Sequence, residues 1–197
     1  MKRALVLASA SPSRAAMLAN AGITAEIIPS DVDESIIKQD MIGQETGAIA
    51  MALAKAKAEK VSKDYPDRYV IGADQILVCN GSLYDKPCDL AEAKTHLQSL
   101  SGQTHQLMTA AIILLDGRVV WQHLSTPALT MRVLEDAFID AYLADVGDLA
   151  LTSVGAYQLE GLGAQLFDRV EGDFFSILGL PLLPLLAFLR QQDVREE

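Results

Sequence analysis

Histidine and cysteine are scarce in this chain of 197 residues, which carries three histidines and two cysteines. Cys79 and Cys88 form no CxxC pair, and no HExxH motif is present. These absences argue against a zinc site built from histidine or cysteine. Two scattered cysteines are typical of free thiols in a reducing compartment.

Positive charge is also in short supply, because 16 lysines and arginines face 26 aspartates and glutamates, for a formal net charge of −10. Proteins that bind nucleic acid polymers or anionic membranes need a broad basic surface, so we expect neither partner. A small anionic ligand remains compatible with this charge if a few cations converge locally.

Long apolar segments are missing as well. The most apolar run, Ile177 to Leu189, is shorter than the ~20 residues that span a bilayer, and Pro181 and Pro184 interrupt it. The first apolar segment, Ala4 to Leu7, is shorter than the ~7–15 residues of a signal peptide core. With half of its residues hydrophobic, the chain is expected to be a soluble, cytoplasmic protein with a sizeable core.

The stretch Tyr69 to Pro87 draws attention because an acid separates two apolar runs. Tyr69 to Ile71 predicts a buried strand that ends at Gly72, and Asp74 follows this end. Asn80-Gly81 predicts a tight hairpin that returns Lys86 towards Asp74. This pattern fits a metal and phosphate site, and it fits equally a buried strand with a solvated acid at its end.

Near the N-terminus, Ala4 to Ala8 predicts a strand followed by a short turn. Ser11 is a good N-cap, Pro12 suits the first helical position, and the helix is expected to end near Asn20. Arg14 in its first turn would add positive charge to a helix N-terminus, which favours an anion. An ordinary helix cap is the alternative.

Two further segments carry candidate charges. The acidic loop Asp31 to Glu34 is either solvated or helps to hold a divalent cation. An alanine-rich helix from Glu45 to about Lys63 carries Lys55 and Lys57. One of these lysines would face solvent with Glu59 as an i,i+4 partner and the other would enter a cleft, and spacing does not decide which.

The remaining pattern alternates strands and helices at first and then becomes antiparallel. Apolar runs at 104–115 and 119–129 predict a hairpin at Asp116-Gly117, and helices are expected at 90–100, 135–146 and after Pro181. This mixture favours an α/β fold with one sheet wrapped into two lobes and a cleft between them.

Seven motifs in order show that the chain resembles the Maf family of nucleoside triphosphate pyrophosphatases over nearly its whole length. The matching segments are the turn and helix start Ser9 to Leu18, the acidic Asp31 to Glu34, the AxxKA core Ala52 to Ala56, Gly72 to Gln75 followed by Lys86-Pro87, Ser101 to His105, Gly155 to Gly161, and Gly179 to Leu182.

The resemblance implies a mixed α/β fold of the Maf/ITPase-like kind, elongated and two-lobed with a central cleft, formed by residues 1–197 as one domain and often found as a homodimer. It also implies hydrolysis of a nucleoside triphosphate to the monophosphate and pyrophosphate with Mg²⁺ or Mn²⁺. In this reading Asp74 is a base or metal ligand and Glu34 a second ligand. The residues expected to hold phosphates are Ser9, Arg14, Lys55 and Lys86, because the AxxKA match selects Lys55 over Lys57.

Three departures concern substrate choice. Ser13 replaces the first arginine of the family's SPRR, Gln75 replaces a threonine of a pyrimidine-directed subgroup, and Glu160 replaces its glutamine. Together they make the chain similar to the subgroup that acts on 7-methyl-GTP. The alternatives are a pyrophosphatase for dTTP and UTP or with broad specificity, and a nucleotide-binding regulator of septum formation.

Overall fold

The computed structural model describes residues 4–192, which form eight strands and seven α-helices. The strands are β1 (Leu5–Leu7), β2 (Glu26–Ile27), β3 (Tyr69–Cys79), β4 (Ser82–Tyr84), β5 (Thr104–Leu115), β6 (Arg118–Ser125), β7 (Ala128–Met131) and β8 (Phe167–Glu171). The helices are α1 (Pro12–Asn20), α2 (Glu34–Asp40), α3 (Thr46–Ser62), α4 (Leu90–Leu100), α5 (Asp136–Val146), α6 (Phe174–Ile177) and α7 (Leu182–Gln191). Among these residues, no helix combines the length and apolarity that a bilayer crossing requires.

The strands form a mixed sheet in the order β2-β1-β3-β5-β7-β8, with β4 paired to β3 and β6 paired to β5. β1 lies parallel to β2 and β3, whereas the pairs β3–β4, β5–β6, β5–β7 and β7–β8 are antiparallel. The predicted mixed α/β class is therefore confirmed.

The chain divides into two compact units. The first comprises residues 4–74, 109–125 and 174–192 of the described chain, and the second comprises 75–108 and 126–173. β3 and β5 therefore each contribute residues to both units. The elongated two-lobed shape with a central cleft stays a prediction.

The first unit has its core around β1 and the first half of β3. Side chains from α1, β5 and α7 pack against these strands, and the cluster includes Leu7, Leu18, Ile71, Ile113 and Leu185. Each of these five side chains is almost completely buried. This core holds β1, which leads into the N-terminal turn, beside β3, which carries Asp74.

Strand β3 corrects the expectation that Gly72-Ala73 ends a strand. It continues without a break from Tyr69 to Cys79, so Asp74 lies in mid-strand and is only 5% exposed. Gly72 is required here by helix α3, because a Cβ at this position would stand 2.0 Å from the carbonyl oxygen of Ala54. The small residue therefore marks a close helix–strand contact rather than a strand end.

The predicted turns are confirmed, and the five predicted helices are present as α1, α3, α4, α5 and α7. Asn80 and Gly81 have φ angles of 50° and 79° and join β3 to β4, and Asp116 and Gly117 join β5 to β6 in the same conformation. The segment 31–34 differs from the expected open loop, because Asp33 caps the short helix α2 that begins at Glu34. This cap places Glu34 on a helix.

The second unit contains a buried polar pair. His105 at the start of β5 is 1% exposed, and its Nε2 lies 2.7 Å from the hydroxyl oxygen of Tyr157. The rings of Tyr157 and Phe167 meet edge to face with centroids 4.8 Å apart. Burial lowers the pKa of His105 to about 4, so the imidazole is neutral at physiological pH.

This burial predicts a specific dependence of stability on pH. An unfolded histidine titrates near pH 6.5, so between about pH 6.5 and 4 the unfolded chain binds a proton that folded His105 does not. The free energy of unfolding should therefore fall as the pH falls, by up to about 3 kcal/mol from this residue. Urea unfolding of the wild type and of His105→Gln at pH 7 and pH 5 measures the effect.

The wild type is expected to lose more stability than His105→Gln between the two pH values, because the variant lacks the titrating group. His123→Gln is the matched control, since it removes a histidine elsewhere and leaves His105 in place. A stability difference between wild type and His105→Gln that is the same at both pH values would contradict the assignment.

Candidate active site

Two serine hydroxyls organise the turn between β1 and α1. Ser9 is 6% exposed, and its Oγ accepts hydrogen bonds from the Ser11 backbone N–H at 3.2 Å and from Arg14 Nη1 at 3.3 Å. Ser11 is the N-cap of α1, and its Oγ accepts from the Arg14 backbone N–H at 3.4 Å. The turn thus presents hydroxyls and a guanidinium at a helix N-terminus, where an anion is favoured.

Arg14 is fixed by backbone carbonyls as well as by Ser9. Its Nε donates to the Gly179 carbonyl at 2.7 Å, and its Nη1 donates to the Ala73 carbonyl at 3.0 Å. Burial lowers the pKa of Arg14, while Asp74 and Glu34 act in the opposite direction. Since arginine stays protonated in proteins, the guanidinium of Arg14 is a fixed positive charge near the carboxylates of Asp74 and Glu34.

Asp74 and Glu34 share one lysine. The Nζ of Lys57 lies 2.5 Å from Asp74 Oδ1 and 2.7 Å from Glu34 Oε1. The Lys57 and Asp74 side chains are 12% and 7% exposed, whereas Glu34 is 40% exposed. A buried carboxylate with a lysine and an arginine beside it meets the requirement that a buried charge be paired.

The pKa of Asp74 lies above its ordinary value. Burial is the largest cause, Lys57 and Arg14 oppose it, and the neighbouring carboxylate of Glu34 adds to the rise. A carboxylate made more basic in this way is better suited to accept a proton than one in water.

Comparison with known proteins decides the family. A family model described as Maf-like protein matches residues 4–192. The chain belongs to the Maf family. A protein of Granulibacter bethesdensis named nucleoside triphosphate pyrophosphatase is 52% identical over 189 residues, 95% of this chain and 96% of its own. A protein of Rhizobium meliloti named 7-methyl-GTP pyrophosphatase is 51% identical over 193 residues, 97% of each chain.

The structure gives the two lysines of α3 different surroundings. Lys57 contacts Asp74 and Glu34, whereas Lys55 Nζ lies 3.4 Å from Glu59 Oε1 with its side chain 51% exposed. Lys55 is therefore the i,i+4 partner on the helix surface, and Lys57 is the lysine that reaches the acids. Substrate binding by Lys55 stays the prediction of the Maf motif, and the contacts of Lys57 favour Lys57 as the alternative.

A signal for Lys57 was present in the sequence. The AxxKA core of the Maf motif matches Ala52 to Ala56 and equally Ala54 to Ala58, because alanine and lysine alternate there. Only the second register puts its lysine beside Asp74. Residues two positions apart on a helix are rotated by about 200° around its axis. The choice of register therefore decides which lysine reaches Asp74.

The other predicted residues of the Maf site lie elsewhere in the chain. Ser13 is half-buried in the first turn of α1 in the first unit. Gln75, Lys86 and Glu160 belong to the second unit, where Gln75 continues β3 and Lys86 and Glu160 are exposed in connecting segments. Convergence of these three residues on Asp74 stays a prediction.

The donor set suits a divalent metal held partly by substrate. Asp74 and Glu34 both contact Lys57 Nζ, so a carboxylate oxygen from each lies near one cationic position. The described residues contain no group of three or more His, Cys, Asp or Glu placed to hold a metal. This arrangement fits Mg²⁺, which often takes one or two carboxylates together with substrate phosphates rather than a cage of protein ligands.

Proposed function

We propose that this Maf protein hydrolyses a nucleoside triphosphate to the monophosphate and pyrophosphate, and that 7-methyl-GTP is its preferred substrate. The observation that carries the reaction is the buried Asp74 of raised pKa beside Lys57 and Arg14. The relatives described above are named for the same reaction, and proteins of Rhizobium meliloti and Mesorhizobium japonicum are named for 7-methyl-GTP.

In the proposed reaction a water oxygen forms a bond to the α-phosphorus. The bond from this phosphorus to the oxygen bridging to the β-phosphorus breaks, and pyrophosphate leaves with the electron pair. Asp74 accepts the proton of the attacking water, which its raised pKa favours. Arg14 and Lys57 offset the charge of the phosphates, and Ser9 adds a hydroxyl at the turn.

Lys57 has a further part in this proposal, because it holds both acids before substrate arrives. A triphosphate offers Lys57 stronger anionic partners than Glu34, which is partly exposed. Movement of the ammonium towards phosphate would free carboxylate oxygens of Asp74 and Glu34. Mg²⁺ or Mn²⁺ bound there would supply charge neutralisation at the phosphate oxygens.

The test of the reaction is a panel of canonical and modified nucleoside triphosphates with Mg²⁺ and Mn²⁺, with pyrophosphate and orthophosphate measured separately. We expect one pyrophosphate per nucleotide and no orthophosphate, with the highest kcat/KM on 7-methyl-GTP. Release of orthophosphate would contradict cleavage at the α-phosphorus. Similar kcat/KM values for all the nucleotides would favour the broad-specificity alternative. Binding without turnover would favour the septum regulator.

Glu160 is proposed to read the base. A carboxylate can accept from both the ring N–H and the exocyclic amine of guanine, whereas a glutamine amide suits the donor and acceptor edge of uracil or thymine. Methylation at N7 leaves the guanine positively charged, which adds attraction to Glu160. A hydrogen bond to a charged group contributes about 1.5–3 kcal/mol, or roughly ten- to a hundredfold in preference.

Glu160→Gln is therefore expected to lower kcat/KM for 7-methyl-GTP by roughly ten- to a hundredfold and to raise the relative activity on UTP and dTTP. Steady-state kinetics on these three nucleotides measure the change. Glu171→Gln, on exposed strand β8 of the same unit, is the control and should leave the ratio unchanged. Equal losses on all three nucleotides in Glu160→Gln would show a structural role instead.

A further inference from the structure

We propose that His105 is a positioning residue for base selectivity, acting through its hydrogen bond to Tyr157, which anchors the segment that carries Glu160. This inference rests on the proposed function, because it deepens the assignment of Glu160 as the base-reading residue. All the contacts that carry it lie within the second unit. Neither His105 nor Tyr157 has a part in the proposed reaction itself.

The segment before Glu160 has an unusual backbone. Gly155 and Ala156 have φ angles of 78° and 62°, two consecutive residues in the left-handed region. Ala156 is completely buried, and an alanine in this conformation persists only where its surroundings impose it. A Cβ on Gly155 would stand 2.6 Å from Leu77 Cδ1 and 2.8 Å from Tyr157 Cε1, so the backbone is closely enclosed.

Side-chain hydrogen bonds impose this backbone. The Tyr142 hydroxyl donates to the Ala156 carbonyl at 3.2 Å, and Ser153 Oγ donates to the Tyr157 carbonyl at 2.5 Å. The Tyr157 ring lies against Phe167 and His105, with centroids 4.8 and 5.6 Å away. Tyr157 is thus the residue at which backbone and side-chain constraints on the segment meet.

Only two residues separate Tyr157 from Glu160, and hydrogen bonds hold the backbone between them. Gln158 follows Tyr157 directly, its carbonyl accepts from the Gly161 N–H at 3.1 Å, and its Nε2 donates to Thr152 Oγ1 at 3.0 Å. Glu160 lies inside the tight turn that the first of these bonds closes. A Cβ on Gly163 would stand 2.4 Å from the Gln158 carbonyl oxygen, so Gly163 packs closely against the first residue of this turn.

The histidine has a feature that stability alone does not explain. Its Nε2 is paired with Tyr157, but its buried Nδ1 has no hydrogen-bond partner among the described residues. An unpaired buried polar atom is unfavourable, and an apolar ring of similar size would avoid it. We therefore attribute the presence of histidine at position 105 to its hydrogen bond with the Tyr157 hydroxyl, which this bond orients.

The test uses His105→Phe and Tyr157→Phe, each of which removes this hydrogen bond and keeps a ring. Losing a neutral hydrogen bond changes an equilibrium constant by about two- to tenfold. We therefore expect the ratio of kcat/KM for 7-methyl-GTP to that for UTP to fall by this factor in each variant. The change should appear in KM for 7-methyl-GTP, with kcat on UTP retained. His105→Gln, which can still reach the Tyr157 hydroxyl, should restore much of the ratio, and His123→Phe is the matched control.

A double-mutant cycle with Glu160→Gln separates positioning from a general structural effect. If His105 acts through Glu160, His105→Phe should change the selectivity ratio in the wild type and leave it unchanged in the Glu160→Gln background. An equal change in both backgrounds, or loss of activity in proportion on every nucleotide, would overturn the inference.

Hydrogen exchange of the free protein distinguishes failure of this inference from failure of the proposed function. His105→Phe and Tyr157→Phe should increase exchange of the Gly161 amide, while His123→Phe should not. If the wild type had no pyrophosphatase activity or no base preference, the proposed function would be wrong. Increased exchange in the two variants would then still support the role of the His105–Tyr157 hydrogen bond in holding the segment. Unchanged exchange in both anchor variants would overturn the inference whatever the activity.

Discussion

Asp74→Asn is expected to lower kcat by about 10²–10⁴-fold, the range for loss of a general base. Asparagine keeps the shape of the side chain inside β3 but removes the charge and the basicity that burial has raised. Binding of the triphosphate should change much less, because Arg14 and Lys57 remain and a negative charge is removed. Pyrophosphate release under single-turnover conditions, together with nucleotide binding, separates these two effects.

The matched control for Asp74 is Asp67→Asn. Asp67 is exposed between α3 and β3 in the same unit and lies outside the acidic segment 31–34, so the fold should be retained. This variant should keep near-normal turnover. Near-normal turnover in Asp74→Asn, with its fold intact, would remove Asp74 from the reaction.

Lys57→Met is expected to lower kcat/KM by about 10²–10³-fold, the usual effect of losing one group that stabilises charge in the transition state. Lys57 is the largely buried cation between Asp74 and Glu34, and methionine keeps most of its volume without the charge. Lys55→Met should change kcat/KM by less than about threefold, since an exposed i,i+4 ion pair contributes little.

The two lysine variants form a matched pair, two residues apart on one helix. Loss of Lys57 also leaves Asp74 with fewer partners, and breaking a buried pair can cost about 3–5 kcal/mol of folding stability. Thermal unfolding therefore accompanies the kinetics, and Lys57→Arg tests whether charge alone suffices. A greater loss in Lys55→Met than in Lys57→Met would show that the first AxxKA register holds the substrate.

Local chemistry in the sequence was enough to predict several elements. Ser11 and Pro12 predicted the start of α1, because a hydroxyl N-cap and a proline in the first turn act within a few residues. Asn80-Gly81 and Asp116-Gly117 predicted two hairpin turns, because these residues tolerate positive φ. The ordered motifs also predicted the Maf family, which the family comparison confirmed.

The tertiary structure decided what depends on distant packing. Gly72 could end a strand or admit a neighbouring helix, and the structure shows the second: the Ala54 carbonyl of α3 lies close to Gly72, and β3 continues through Asp74. The same helix carries Lys55 and Lys57 in a repeating alanine–lysine pattern, whose two registers are equivalent in sequence. The rotation of α3 against β3 made Lys57 the partner of Asp74, because side chains two residues apart on a helix point in nearly opposite directions.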